Sequence, residues 1–283
     1  MEVAEFDLRL DDGRALHVYD TGGDGRLPVL WHHGTPNIGA PPVPLFPAAE
    51  RLGIRWVSYD RPGYGGSSPR QDRGVATAAT YAAVVADALG IGRFAVMGHS
   101  GGGTHALACA ALLPDRVLSV VSAAGIAPFD AEGLDWFAGM HPSVAASLRA
   151  AAEGRAAKER HETLSTYDPE IFTPADHAAL SGGWSWFDEI VPPAVASGPG
   201  GLIEDDLAYV APWGFTAAQV TPPVLLLHGT EDRVIPSSHA GWLARHCPSA
   251  EPRLSPGAGH ISVLDTAPAA LEWFFSPSGP GTA

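Results

Sequence analysis

Between residues 28 and 123 the chain repeats one pattern, a short apolar run followed by a stretch with helical spacing, with glycine or proline as punctuation. The apolar runs are residues 28–32, 54–59, 93–97 and 117–123, and the helical stretches are 44–52, 77–89 and 101–113. Residues 28–32, bounded by turn residues, read as a buried strand, and the other three runs read as further strands. Parallel neighbours need a long crossover between them, which the intervening helices supply. The repeat therefore predicts an α/β fold, a mostly parallel sheet flanked by helices. Gly53 and Gly90 stand where helix ends favour a left-handed residue, and Thr77 stands where a cap would start its helix. Upstream, residues 5–10 and 14–20 surround Asp11-Asp12-Gly13, a hairpin signal.

The repeat breaks near residue 127 and resumes near 216 with strands at 223–227 and 251–254 and helices at 237–245 and 261–275. In between there is no convincing buried strand. Helix signals replace it: residues 143–164, the start Thr173-Pro174-x-Asp176, and residues 202–210. Val191-Pro192-Pro193 and residues 197–201 read as interruptions. The chain thus divides into a core of residues 1–126 and 216–283 and a helical insertion of residues 127–215. Residues 276–283, rich in Pro, Gly and Ser, read as a frayed tail.

Composition narrows the class. With 283 residues, 46% hydrophobic and 17% charged, the chain can bury a sizeable core. Its net charge of −14 argues against binding nucleic acid or an anionic membrane surface. Two cysteines, Cys109 and Cys247, make neither a disulfide scaffold nor a zinc pair. No run of about 18 apolar residues exists and residues 1–10 lack a signal-peptide core, so a cytoplasmic protein is expected. The acidity is uneven: residues 127–215 carry 14 acidic and 4 basic residues, net −10, against 17 and 13, net −4, elsewhere.

The chemistry centres on Gly98-His99-Ser100-Gly101-Gly102, a G-x-S-x-G string directly between an expected strand and an expected helix. That context is a sharp strand–turn–helix elbow, with flanking glycines leaving room for the turn and the helix N-terminus favouring negative charge beside the serine. A neutral serine needs a base, and the base needs an orienting acid. His260, in a loop between the last strand and the last helix, is the candidate base. Asp232, following the strand at 223–227, is the candidate acid, with Glu231 and Asp130 as competitors. Both loops open at the carboxyl edge of the sheet, the side on which Ser100 stands.

These residues and their order, Ser100, Asp232, His260, resemble the α/β-hydrolase fold superfamily, in its cap-bearing serine hydrolase branch of esterases and proline iminopeptidases. His33-Gly34-Thr35-Pro36 resembles that family's H-G-x-P turn, and Asp60-Arg61-Pro62-Gly63-Tyr64-Gly65-Gly66-Ser67 its D-x-P-G-x-G-x-S loop. The resemblance implies a helical cap inserted after the sixth strand and an oxyanion hole of the Gly101 and Thr35 backbone N–H groups. It implies neither cofactor nor metal, and a small-molecule ester or amide substrate cleaved through an acyl-enzyme. Ester hydrolysis is the leading expectation. A proline iminopeptidase-like aminopeptidase, a cofactor-free haloperoxidase or perhydrolase, and a non-catalytic receptor are the alternatives.

Other residues are assigned by their surroundings. His33 is expected to hold its loop, and His99 to support the elbow or line the pocket. Trp184, Trp186 and Trp213 of the insertion are candidates for a pocket wall or for the insertion's own core. His105 and Cys109, four apart on one helix, read as core rather than as a metal pair. Glu204-Asp205-Asp206 and Asp188-Glu189 are either solvated faces or inward carboxylates for a substrate amine.

Overall fold

The computed structural model describes residues 1–276; the expected fraying of the tail lies, beyond Ser276, outside the described residues. Eight strands form one sheet: β1 Ala4–Arg9, β2 Ala15–Asp20, β3 Leu27–His32, β4 Ile54–Tyr59, β5 Phe94–His99, β6 Val117–Ala123, β7 Val224–Gly229 and β8 Ala250–Ser255. Their spatial order is β1-β2-β4-β3-β5-β6-β7-β8. The β1–β2 hairpin is antiparallel and β2 joins β4 antiparallel, while all pairs from β4 to β8 are parallel. The helices are α1 Phe46–Leu52, α2 Thr77–Ala88, α3 Gly101–Leu112, α4 Pro142–Ala152, α5 Arg155–Leu164, α6 Pro174–Leu180, α7 Phe187–Val195, α8 Gly200–Val210, α9 Ser238–His246 and α10 Ala267–Trp273.

Strand side chains alternate between two apolar layers, as a period of two requires. Val29, Trp31, Trp56, Met97, Leu225 and Leu227 face the layer holding residues of α1 and α10. Leu30, Val57, Val96, Val120 and Leu226 face the layer holding residues of α2, α3 and α9. Trp31 and Trp56 meet edge to face with centroids 6.3 Å apart, worth about 0.5–1.5 kcal/mol beyond the area they bury.

Local expectations are revised at four places. The helix expected over 143–164 is two helices, α4 and α5, because Gly154 (φ +110°) turns the chain between them. Thr77 does not cap α2: its hydroxyl donates to the Gly74 carbonyl at 2.6 Å. Pro192 and Pro193 lie inside α7 instead of ending it. The carbonyls they leave without donors belong to exposed Asp188 and Glu189, where water can serve them. The last expected helix starts as a 3₁₀ turn, Ser262–Thr266, before α10.

Because β3 to β8 all run in one direction, their carboxyl ends share an edge. The loops after β3, β4, β5, β7 and β8 open there, and α4 to α8, inserted between β6 and β7, adjoin it. The elbow before α3 is the tightest point. A side chain on Gly98 would strike the backbone of Gly102, and one on Gly102 would strike the His32 carbonyl. Backbone cannot yield as a flexible side chain does. Gly102→Ala is therefore expected to cost about 1–3 kcal/mol in urea unfolding. Gly92→Ala, with open space beside it, should stay within about 0.5 kcal/mol.

Candidate active site

Ser100 follows β5 with φ +56° and ψ −130°, a conformation that non-glycine residues rarely hold and that costs on the order of 1–3 kcal/mol. The surroundings enforce it. Ser100 N–H donates to the Ala123 carbonyl at 2.8 Å, and the Ser100 carbonyl accepts from Gly103 N–H at 2.9 Å. The close approach of α3 to β5 and β3, open only to glycine at 98 and 102, completes the turn.

His260 is buried in the loop after β8. Its Nδ1 donates to Asp232 Oδ2 at 2.8 Å, which leaves Nε2 as the acceptor. Asp232 is fully shielded. Its Oδ1 accepts from the Val234 and Ile235 N–H groups, both at 2.9 Å. Burial opposes its charge, but His260, His228 and their hydrogen bonds outweigh burial and hold the carboxyl well below the ordinary range. The competing acids do not reach this position: Glu231 and Asp130 are exposed.

Gly34, Thr35, Ser100, Gly101 and His260 line one cavity of about 1050 Å³. Its apolar wall includes Ile126, Leu148, Phe172, Phe187, Leu202 and Ile235. Gly101 opens α3, where backbone N–H groups have no partner within the helix. Thr35 is held from its side chain. Its hydroxyl donates to Asp205 Oδ2 at 2.5 Å and accepts from the Tyr209 hydroxyl at 2.8 Å. Tyr209 packs so closely on Gly101 that a side chain there would strike its hydroxyl.

Asp205, on α8, has no solvent exposure. Arg61 meets it through Nη2 at 2.6 Å and Nε at 3.1 Å, Arg73 through Nη1 at 2.5 Å, and the Tyr64 hydroxyl donates to it at 2.8 Å. Arg61 also donates to the His33 and Gly34 carbonyls at 2.5 and 2.9 Å. Burial pushes the Asp205 carboxyl up, and the two guanidiniums more than reverse this, leaving it well below the usual range. Its neighbours are paired as well: Glu204 with Arg155 at 2.6 Å, and Asp206 with Lys158 at 2.5 Å. The reading of a solvated face is thus corrected, because these three acids are buried and matched by cations of the chain itself; Glu204 and Asp205 do not line the cavity, while Asp206 lines it as it pairs with Lys158. Asp188 and Glu189 are exposed, Asp188 on the lining of the cavity.

The three tryptophans do not line the cavity. Trp184 and Trp186 pack with Phe187 in the layer that includes α10, and the Trp184 indole donates to Asp265 at 3.0 Å. Trp213 packs on Phe215 in the opposite layer. The aromatic residues between 127 and 215 that do line the cavity are Tyr167, Phe172, Phe187 and Tyr209. His33 does not line the cavity either; its Nδ1 donates to the Gly34 carbonyl and its Nε2 accepts from Arg61 N–H. His99 is on the wall and donates from Nε2 to the His260 carbonyl at 2.8 Å. Burial, followed by the neighbouring His260, pushes its imidazole down to about 3, so it is neutral. His105 and Cys109 do not converge: His105 donates to the Gly101 carbonyl, and Cys109 lies 3.3 Å from His32 Nε2.

Tyr209 was passed over by sequence reasoning, and Asp205 was weighed there as a solvated or amine-binding carboxylate, not as the anchor of the Thr35 turn. Asp205→Asn leaves Arg61 and Arg73 short of a counter-charge and is expected to cost about 3–5 kcal/mol near pH 7, read by urea unfolding. The native carboxyl is depressed, so its contribution is full above the unfolded value of about 3.9 and is lost as pH falls below it. The gap between wild type and variant should accordingly narrow at pH 3.

Comparison with known proteins places this geometry in a family. The model of the alpha/beta hydrolase fold matches residues 28–267. The chain is 28% identical over 255 residues to the pimeloyl-[acyl-carrier protein] methyl ester esterase of Nitrosomonas europaea, covering 88% of this chain and 94% of that one. It is 29% identical to the 2-hydroxymuconate semialdehyde hydrolase of Pseudomonas putida, covering 90% and 87%. Among solved structures, the enol-lactonase from Burkholderia xenovorans LB400 superposes with a TM-score of 0.70 at 20% identity, covering 94% and 97%. No helix among the described residues is long and apolar enough to cross a membrane. With its parallel sheet, its strained serine after β5 and a family match over 28–267, the chain belongs to the alpha/beta hydrolase fold family.

Proposed function

We propose that this chain is a serine hydrolase that cleaves small carboxylic esters with an apolar acyl or alkoxy group. The observation that carries the reading is the coincidence of three features on one cavity: the strained Ser100, the His260 ring held through Nδ1 by buried Asp232, and the N-terminus of α3. His260 Nε2 takes the serine proton as Ser100 Oγ attacks the ester carbonyl. The tetrahedral oxyanion forms beside the Gly101 and Thr35 N–H groups, each donor worth about 3–4 kcal/mol at the transition state. Imidazolium formed at His260 is stabilised by Asp232, and its proton passes to the departing alkoxide. Water then attacks the acyl-enzyme by the same route, with His260 first as base and then as acid, releasing the acid and restoring Ser100.

The apolar wall of Ile126, Leu148, Phe172, Phe187 and Leu202 supports an apolar substituent. Residues 127–215, which supply much of that wall, act in this reading as a cap that excludes water. Esters are favoured over N-terminal peptides because Glu204, Asp205 and Asp206 are already neutralised by Arg155, Arg61, Arg73 and Lys158.

A fluorophosphonate probe is expected to label wild type and leave Ser100→Ala unlabelled; equal labelling would remove Ser100 from the mechanism. His260→Ala and Asp232→Asn should lower kcat by about 10³-fold or more on p-nitrophenyl esters. On parallel panels, aliphatic esters should turn over well above proline amides. A preference for the amides would overturn the ester assignment while leaving the serine mechanism standing.

A further inference from the structure

His260 is held through its backbone as well as its ring. Asp176, on α6 of the insertion, is completely buried, yet its carboxylate accepts six hydrogen bonds. From its own helix start, Thr173 N–H and the Thr173 hydroxyl donate to Oδ2 at 3.0 and 2.9 Å. The other four come from the His260 loop. His260 N–H donates to Oδ2 at 3.2 Å, while Ile261 N–H, Ser262 N–H and the Ser262 hydroxyl donate to Oδ1 at 2.8, 2.8 and 2.9 Å. Such a carboxylate needs no cation, because aligned N–H groups stabilise its charge directly.

The approach is possible only because residue 259 is glycine: any side chain there would strike the Asp176 carboxylate. On the opposite side the His260 carbonyl accepts from His99 Nε2 at 2.8 Å. Both backbone polar groups of His260 are therefore clamped, one by the insertion and one by the elbow.

We infer that Asp176 is a positioning residue for His260, so that the helical insertion is part of the catalytic framework and cannot leave the site as a rigid cover without releasing the base. The inference rests on the reading of His260 as the general base. Hydrogen bonds through the backbone set where the ring pivots, and a misplacement of about 1 Å in a reacting group can lower the rate by about 100-fold. Binding of the ester lies chiefly with the apolar wall and is not affected by this clamp.

Asp176→Asn replaces one acceptor oxygen by an NH₂ that faces N–H donors, and Ser262→Ala removes one of the six bonds together with the bond the Ser262 hydroxyl accepts from Gly259 N–H at 2.8 Å. Both variants would be assayed on a p-nitrophenyl ester, with rates expressed per site titrated by fluorophosphonate. The downfield proton of the His260 Nδ1–H···Asp232 bond would be followed by NMR. Asp176→Asn is expected to lower kcat per titrated site by about 10- to 100-fold with KM within about twofold, and to broaden or shift that proton. Ser262→Ala should move the same readouts in the same direction by about three- to tenfold.

An unchanged kcat per site and an unchanged proton signal in folded Asp176→Asn would overturn the inference, reducing Asp176 to a support of the fold. Should that variant not fold, Ser262→Ala decides alone by the same criteria. Failure of the underlying mechanism is distinguishable, since it shows as retained activity in Ser100→Ala and not as a normal Asp176→Asn.

Discussion

The buried carboxylate of Asp205 joins α8 to the loops after β3 and β4. Arg61, from the loop after β4, and Arg73 meet it inside the protein, and Arg61 also binds the His33 and Gly34 carbonyls. Desolvating three charges is costly, and the arrangement stands only because the carboxylate, two cations, two hydroxyls and four carbonyls satisfy one another there. Removing any member strands the others. The turn carrying Thr35 is thus tied to α8 of the insertion and to the core at once, and the shape of the cavity above Ser100 depends on that tie.

A second constraint is steric. The sheet places β3 and β5 side by side, and α3 must start within contact of both. Glycine at 98 and 102 allows that approach, and Ser100 takes the strained conformation that remains. Strain of this kind persists only where the surrounding bonds over-determine it. Here the Ala123 carbonyl on β6 and the Gly103 N–H supply those bonds. Ser100 is then presented on backbone fixed by those bonds, while much of the opposite wall of the cavity comes from side chains of the helices between β6 and β7.

Much of this was legible in the order of residues, for a reason that concerns range. Parallel strands, the elbow and the loops carrying Asp232 and His260 are each written in a few adjacent residues. Thr173-Pro174-x-Asp176 read correctly as a helix start, and the capping box is present. Yet the same carboxylate also binds a loop 84 to 86 residues away, which no local pattern records. The tryptophans teach the same lesson. Trp184 and Trp213 are apolar in any window, and only packing decides that they turn into the layers beside the sheet instead of toward the cavity.

By itself, the sequence determined the α/β alternation, the hairpin that precedes it, the G-x-S-x-G elbow and the uneven placing of acidic residues. Those features follow from periodicity, glycine stereochemistry and charge count, all of which act over a few residues. The fate of the acids was decided only in three dimensions. Asp176, Asp205 and Lys158 are polar in every sequence pattern and wholly buried in the fold. A charge enters a protein interior only where partners from distant segments arrive to meet it, and that meeting is a property of the assembled chain.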